Sequence, residues 1–211
     1  MNPVQQKYQN QAKTIIEALQ KRNMNGYYFE TSQEAILFIQ NFIKPTSTVS
    51  WGGSMTLHES GIIDAVKTMD LVCLDRDMAD TVQGRHQIAQ KALSANYYLT
   101  STNAITLDGK LVNIDGNGNR VAALIFGPDN VIVVAGMNKV SLDETDALSR
   151  VKNIAAPANT VRLNQNTPCS HTGKCHNCLV DDCICSHTVI TRRCNRANRI
   201  HVLLVGEVLG Y

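Results

Sequence analysis

The stretch "VIVVAG", residues 131–136, decides the fold. It has three valines, one isoleucine and no polar side chain. A strand with one wet face alternates apolar and polar residues. An unbroken apolar run marks a strand covered on both faces, at the centre of a parallel sheet. Working outward, Gly127-Pro128 stops a short helix over Arg120–Phe126. On the other side, the polar loop "AGMNKVSLDE" leaves the strand's C-terminal end. Leu142–Ile154 then reads as a helix, with an extension beyond Pro157 after a kink.

The same alternation runs through the rest of the chain. Pro3 to about Lys21 is amphipathic, with Tyr8, Ala12, Ile15, Ile16 and Leu19 at helical spacing. "GYYFE" is a short strand. Thr31 or Ser32 caps a helix whose apolar face is Ala35, Ile36, Phe38, Ile39 and Phe42. "STVSW" is strand-like, and after a glycine loop a helix spans about His58–Thr68. "LVCLD" reads as a short buried strand, residues 81–94 as a helix and "NYYLT" as a strand. "NAITLDGKLVNID" predicts a hairpin about Asp108-Gly109. "HTVITRRC", a turn at "NRAN" and "RIHVLLVGE" predict a second, C-terminal β-hairpin. Alternating strands and helices predict one α/β domain over residues 1–211. Its sheet is expected to be mixed but mostly parallel, with helices on both faces.

Bulk composition narrows the class. Hydrophobic residues make up 44% and charged residues 18% of the 211, which are globular values. A net charge of +2 implies no general nucleic-acid or membrane field. The N-terminal stretch has no apolar signal core, and no run is long enough to span a bilayer. The expectation is a cytoplasmic protein without membrane attachment. Thiols stay reduced there, so clustered cysteines point to metal or redox chemistry.

Glycine-rich and polar loops mark a candidate crevice. "SWGGSMTLHESG", residues 50–61, follows a strand and opens a helix. Gly52 and Gly53 permit a tight turn and close approach, while Ser54 and Thr56 can cap the helix or meet an anion. The stretch is neither a dinucleotide fingerprint nor a P-loop. It equally fits an ordinary capped turn. "NIDGNGNRVAA", residues 113–123, is a second such turn, with Arg120 placed to meet a carboxylate or phosphate. The loop after residue 136 carries Asn138 and Lys139, and "TSTNA" at 100–104 is a fourth polar loop. Ligands of open α/β sheets sit outside the strands' carboxyl ends, so these loops are expected to share one crevice.

Taken together, "WGGSMTLHESG", "TSTNAITLDGKLVNIDGNGNRVAALIFGP" and "VIVVAGMNKV" resemble the LUD (lactate-utilisation) domain family. The family includes the C component of the bacterial lactate-utilisation complex. The resemblance implies the fold of the NagB, ribose-5-phosphate isomerase and coenzyme A transferase superfamily. It also implies a role in lactate or organic-acid utilisation beside iron–sulfur partner proteins. By analogy, a small anionic ligand (a carboxylate, a phosphate or a coenzyme A-type molecule) is expected at Gly52, Gly53, Ser54, Thr56, Asn103, Asn119, Arg120 and Lys139. Transferases of this fold use a nucleophilic glutamate, which makes Glu59 the candidate catalytic residue. Glu59 equally reads as a solvated helix residue.

The cysteine loop, residues 165–188, stands apart. "TPCSHTGKCHNCLVDDCICSHT" holds five of the seven cysteines and three of the six histidines. Cys175 and Cys178 form a C-x2-C knuckle, flanked by Cys169 and Cys185. Shorter LUD-like chains resemble it in a C-x5-C-x2-C-x6-C tail, which leaves Cys183 as an extra thiol able to swap with Cys185. Four thiolates suit zinc or a [4Fe–4S] cluster, and the spacing does not separate the two. Reduced thiols or a disulfide are the plain alternative, and Cys73 reads as a core thiol. A polar loop of this length lacks the apolar surface to order itself, and metal–thiolate bonds would hold it. A zinc-stabilised binding or regulatory protein without catalysis is the competing function. Nucleic acid is not the expected partner. The tail's Arg192, Arg193, Arg196 and Arg199 have no tryptophan or phenylalanine beside them for base stacking.

Overall fold

The computed structural model describes residues 2–211. Six strands form the main sheet: β1 (Asn25–Phe29), β2 (Thr48–Trp51), β3 (Val72–Leu74), β4 (Tyr97–Ser101), β7 (Asn130–Gly136) and β10 (Ile200–Val205). Their order is β1-β10-β7-β4-β2-β3, and every neighbouring pair is parallel. Residues 131–136 lie within β7, between β10 and β4, and are buried throughout. The central position read from the apolar run is the observed one.

Four further strands form a smaller sheet: β5 (Ala104–Thr106), β6 (Leu111–Asp115), β8 (Val140–Ser141) and β9 (His187–Thr191). Its order is β8-β5-β6-β9. The expected hairpin is β5–β6, antiparallel about Asp108-Gly109. Gly109 sits at φ 81°, in the left-handed region that glycine tolerates. The strand mixing expected for one sheet is thus confined to the second.

Period-two alternation sends each main strand's side chains into two cores. Ile132, Val134, Leu203, Val205, Val49 and Leu99 face one side. There they meet α2 (Ser32–Phe42), α3 (Met55–Glu59) and α4 (Ile62–Lys67). Val131, Val133, Ala135, Val202 and Leu204 face the other, against Ala12, Ile15 and Leu19 of α1 (Pro3–Lys21). The small sheet contributes Ile105 and Leu111 to that second core. α5 (Val82–Ala92) and α6 (Asn119–Ile125) close it near Tyr98, through Ala92 and Ala123. Both faces therefore carry helices, as expected.

Four local readings need correction. The C-terminal hairpin does not form. β9 pairs antiparallel with β6, while β10 inserts parallel between β1 and β7. Every residue of β10 is buried, so it takes an interior position, whereas β9 is partly exposed and completes the small sheet's edge. The strand at 72–74 is an edge strand rather than a buried one, with Val72 53% exposed. The helix at 58–68 is two helices, broken at Gly61 with φ 73°. The helix near 142–154 does extend beyond Pro157 as expected, but it begins at Glu144, with α7 (Glu144–Arg150) passing through a π-helical stretch over Val151–Ala155 into α8 (Ala156–Arg162). Pro157 lacks an N–H, and the widened turns just before it let the chain continue where a regular helix would break.

Arg199 ties the two layers. Its guanidinium donates to the carbonyls of Pro128 (2.9 Å), Leu124 (2.7 Å) and Ala123 (2.7 Å), taking the orphan C-terminal acceptors of α6. Removing it leaves three buried acceptors without their donor. Arg199→Ala should cost about 3 kcal/mol or more in urea unfolding. A loss below about 1 kcal/mol would show that water replaces the guanidinium.

Candidate functional site

A polar cavity of about 470 Å³ opens outside the carboxyl ends of β2, β3, β4 and β7. Ser54, Thr56, Arg76, Ser101, Asn119 and Lys139 are among the residues that line it. Each follows or ends a strand, or begins the helix after it, which is where an open parallel sheet exposes its loops. The four polar loops read from the sequence do converge here.

Arg120 holds them together. Its Nη1 donates to the Ser101 carbonyl (3.1 Å) and Asn113 Oδ1 (2.6 Å). Its Nη2 donates to Asn103 Oδ1 (3.1 Å) and the Ile114 carbonyl (2.9 Å), and its Nε pairs with Asp115 at 3.1 Å. Four hydrogen bonds and one ion pair therefore occupy the guanidinium. Arg120 does meet a carboxylate, but that of Asp115 in its own turn. Asp115 in turn accepts from the Gly118 N–H at 2.7 Å, which fixes the start of α6. Arg120 is therefore a positioning residue for the crevice, not a free anchor in it.

Lys139 lies at the floor, on a single 3-10 turn directly after β7, and is 3% exposed. Its ammonium donates to Thr56 Oγ1 (2.7 Å), Ser101 Oγ (3.0 Å) and the Thr102 carbonyl (3.3 Å). All three acceptors are neutral. Burial first, then the charges of Arg150 and Arg120, lower its pKa to about 7, while Glu59 acts weakly the other way. Arg150 is itself anchored, donating to the carbonyls of Asn103 (2.6 Å) and Asn138 (3.2 Å).

The other expected residues divide by role. Ser54 lines the cavity and caps α3, accepting from the Leu57 N–H at 3.3 Å. Thr56 bridges Lys139 to the Leu209 carbonyl. Asn119 lines the cavity. Asn103 lines it too, but its Oδ1 is committed to Arg120 and to the Ile114 N–H (3.0 Å). Gly52 is not in the lining. It makes room for the Arg120 stem and the Tyr98 hydroxyl, which lie 3.0–3.2 Å from where a Cβ would sit. A side chain at Gly53 would run into the Arg76 guanidinium. Glu59 is exposed, lies outside the lining and accepts from the Gly210 N–H at 2.6 Å. As arranged, it anchors the chain's last turn rather than facing the cavity.

Arg76 was not anticipated. It sits on a 3-10 turn after β3, fixed by Asp75, whose carboxylate accepts from the Asp77 N–H at 3.0 Å. Its nearest carboxylate is Asp77, at 3.7 Å. The polar "DRDMAD" that follows a strand end was the available signal. Arg150 carried none, since it reads as one more residue of a helix.

The cysteine loop forms one wall of the cavity through Asp181, Asp182, Cys183 and Ile184. It contains a short helix, α9 (Pro168–Thr172), closed by a Thr167–Ser170 capping box. Cys169 is buried against the Thr167 and Thr160 hydroxyls at 3.2 and 3.6 Å. The Cys183 thiol donates to the Cys178 carbonyl at 3.5 Å. Burial, then the neighbouring Cys183, Cys169 and Cys175, push the Cys185 thiol up to about 12. Burial likewise raises Cys178, and Cys183 adds to it. The thiols thus share one electrostatic neighbourhood, and a cation there would turn their repulsion into attraction. The donor set suits zinc or an iron–sulfur cluster in its chemistry. Among the described residues, however, no three His, Cys, Asp or Glu side chains converge on one point. All seven cysteines are free thiols. Of the tail arginines, Arg199 is buried and Arg196 pairs with Asp129 at 3.1 Å.

Among the described residues no helix is long and apolar enough to cross a membrane. Comparison with solved structures finds a DUF162 family protein from Deinococcus radiodurans, at 14% identity and TM-score 0.51, covering 96% of this chain and 98% of that one. Two weaker likenesses span about half of each chain. eIF2B delta from Chaetomium thermophilum is 16% identical over 56% of this chain and 50% of that one, with TM-score 0.36. Ribose 5-phosphate isomerase from Plasmodium falciparum is 15% identical over 53% and 52%, with TM-score 0.32. No curated protein matches the chain. Residues 12–205 match the LUD domain family, and the chain belongs to it.

Proposed function

We propose that the protein serves lactate or organic-acid utilisation by binding a small anionic ligand in the crevice. The observation that carries this reading is Lys139, a buried ammonium at the cavity floor whose three hydrogen-bond partners are all neutral. Burying an unpaired charge is costly, and an incoming carboxylate or phosphate would compensate it. Arg76, loosely paired and also in the lining, offers a second cation. Ser54 and Asn119 would add neutral hydrogen bonds. The spacious, polar cavity suits a compact acid or the head of a coenzyme A-type molecule.

The cysteine loop supplies the second element. Cys169, Cys175, Cys178 and Cys185 would hold zinc or a [4Fe–4S] cluster, with Cys183 as an alternative ligand. Zinc would supply order to the loop, and a cluster would supply one-electron transfer as well. Because Cys183 and Ile184 form part of the cavity wall, ordering the loop also shapes the crevice. This reading places the protein in the reducing cytoplasm, beside iron–sulfur partner proteins.

Arg76 and Arg120 separate binding from scaffolding. Arg76→Gln should weaken calorimetric binding of pyruvate or inorganic phosphate about tenfold, the worth of one charged hydrogen bond, with little change in melting temperature. Arg120→Ala should lower binding and stability together, because four acceptors lose their donor and Asp115 loses its ion-pair partner. Wild-type protein that binds neither anion would remove the crevice reading. For the loop, anaerobic purification should yield about one zinc or about four irons per chain, lost on Cys175→Ser/Cys178→Ser. Neither metal in fresh protein would leave the loop a set of plain thiols.

A further inference from the structure

Lys139 has a second property that anion binding alone does not use. Its amine sits within hydrogen-bond reach of two hydroxyls that also line the cavity, Thr56 Oγ1 at 2.7 Å and Ser101 Oγ at 3.0 Å. These hydroxyls contact each other at 3.2 Å. Among the described residues no carboxylate forms an ion pair with Lys139, although seven such pairs join other residues. The charges that act on it are two guanidinium groups, Arg150 and Arg120, with the Glu59 carboxylate opposing them less strongly. A desolvated lysine beside other cations is the known recipe for a nucleophilic amine.

We infer that Lys139 forms an imine with an anionic carbonyl compound, a 2-oxo acid or a small phosphorylated aldehyde, bound in the crevice. The inference rests on the anion-binding reading above and names the substrate class of that site. The neutral amine's lone pair attacks the carbonyl carbon, and the C=O π pair moves to oxygen. Ser101 and Thr56 relay the proton that the nitrogen loses to that oxygen, giving a carbinolamine. The same hydroxyls lend the carbinolamine oxygen a second proton, so that the C–O bond breaks and water leaves, and they recover it from the nitrogen's remaining N–H. The nitrogen lone pair closes the C=N bond, so the balance is amine plus carbonyl to imine plus water. No oxidant or reductant is consumed. The carboxylate or phosphate of the compound meets Arg76, which also lines the cavity.

The lowered proton affinity of Lys139 agrees with this geometry. With its pKa near 7, most Lys139 amines are neutral at about pH 8, whereas an ordinary lysine is neutral in roughly one molecule in 250. Reactivity should therefore concentrate at one lysine of the chain.

The test is reductive trapping of the full-length protein at about pH 8, well above the lowered Lys139 value. One arm uses pyruvate or glyoxylate, the other glycolaldehyde phosphate, each followed by borohydride, intact mass and peptide mapping. The expected result is one reduced adduct per chain, mapped to Lys139, in at least one arm. The arm that labels identifies the source of the carbonyl. Arg76→Gln should slow the labelling, and acetone, which has no anionic group, should label Lys139 poorly. Mapping on the wild type locates the adduct directly, and Lys139→Arg, checked for folding by thermal melting, should lose it. Label spread over surface lysines, or no label at Lys139, would overturn the inference. If calorimetry shows that these anions bind while no label appears, the imine fails and the crevice reading stands. If they neither bind nor label, both fail.

Discussion

The crevice depends on four hydrogen bonds and one ion pair of Arg120. One guanidinium gathers the end of β4, the β5–β6 hairpin and the turn that opens α6. These segments belong to different sheets, and the guanidinium joins them. The partners include two backbone carbonyls and two asparagine side chains, so the clamp is directional as well as electrostatic. Gly52 belongs to the same arrangement, because its missing side chain lets the Arg120 stem lie against the first glycine loop. The main sheet sets the height of these loops, and Arg120 sets their spacing.

The charge environment of Lys139 follows from that clamp. Arg120 and Arg150 are both committed to protein acceptors, and their positive charge stays beside the floor lysine. Thr56, Ser101 and Thr102 offer Lys139 oxygen atoms but no negative charge. The result is a concave site, open to solvent, with a cation that has no ion-pair partner at its base. The chain's last turn is drawn toward the same point, where Glu59 and Asn138 hold Gly210, and Tyr211 joins the lining. The cysteine loop closes another side. Catalytic and binding chemistry on this scaffold would therefore be sensitive to the order of both segments.

Much of this was legible in the chain. The apolar run at 131–136 announced the central strand, and the helical spacing over Pro3 to about Lys21 announced α1 as observed. The polar loops after strands announced the site's position, because the rule for parallel sheets is geometric. Roles were harder to read. Arg120 at a helix start looks the same in sequence whether its partner is a ligand or Asp115. Glu59 looks the same whether it faces a cavity or the Gly210 N–H. Those differences are set by tertiary packing across many tens of residues. The C-terminal hairpin failed for a related reason. Local turn chemistry at "NRAN" suited a hairpin, but the apolar β10 gains more by entering the main sheet than by pairing with the half-exposed β9.

The unpaired state of Lys139 is the claim on which the functional account turns, and NMR tests it directly. The ε-carbon resonances of the lysines would be followed across a pH titration, with Lys139→Arg assigning the signal. The account predicts one lysine titrating near 7, lost in the variant, while the rest titrate near the ordinary value. If Lys139 titrates with the surface lysines, a counter-charge or water balances it. The anion-binding floor and the nucleophilic amine would then both be contradicted.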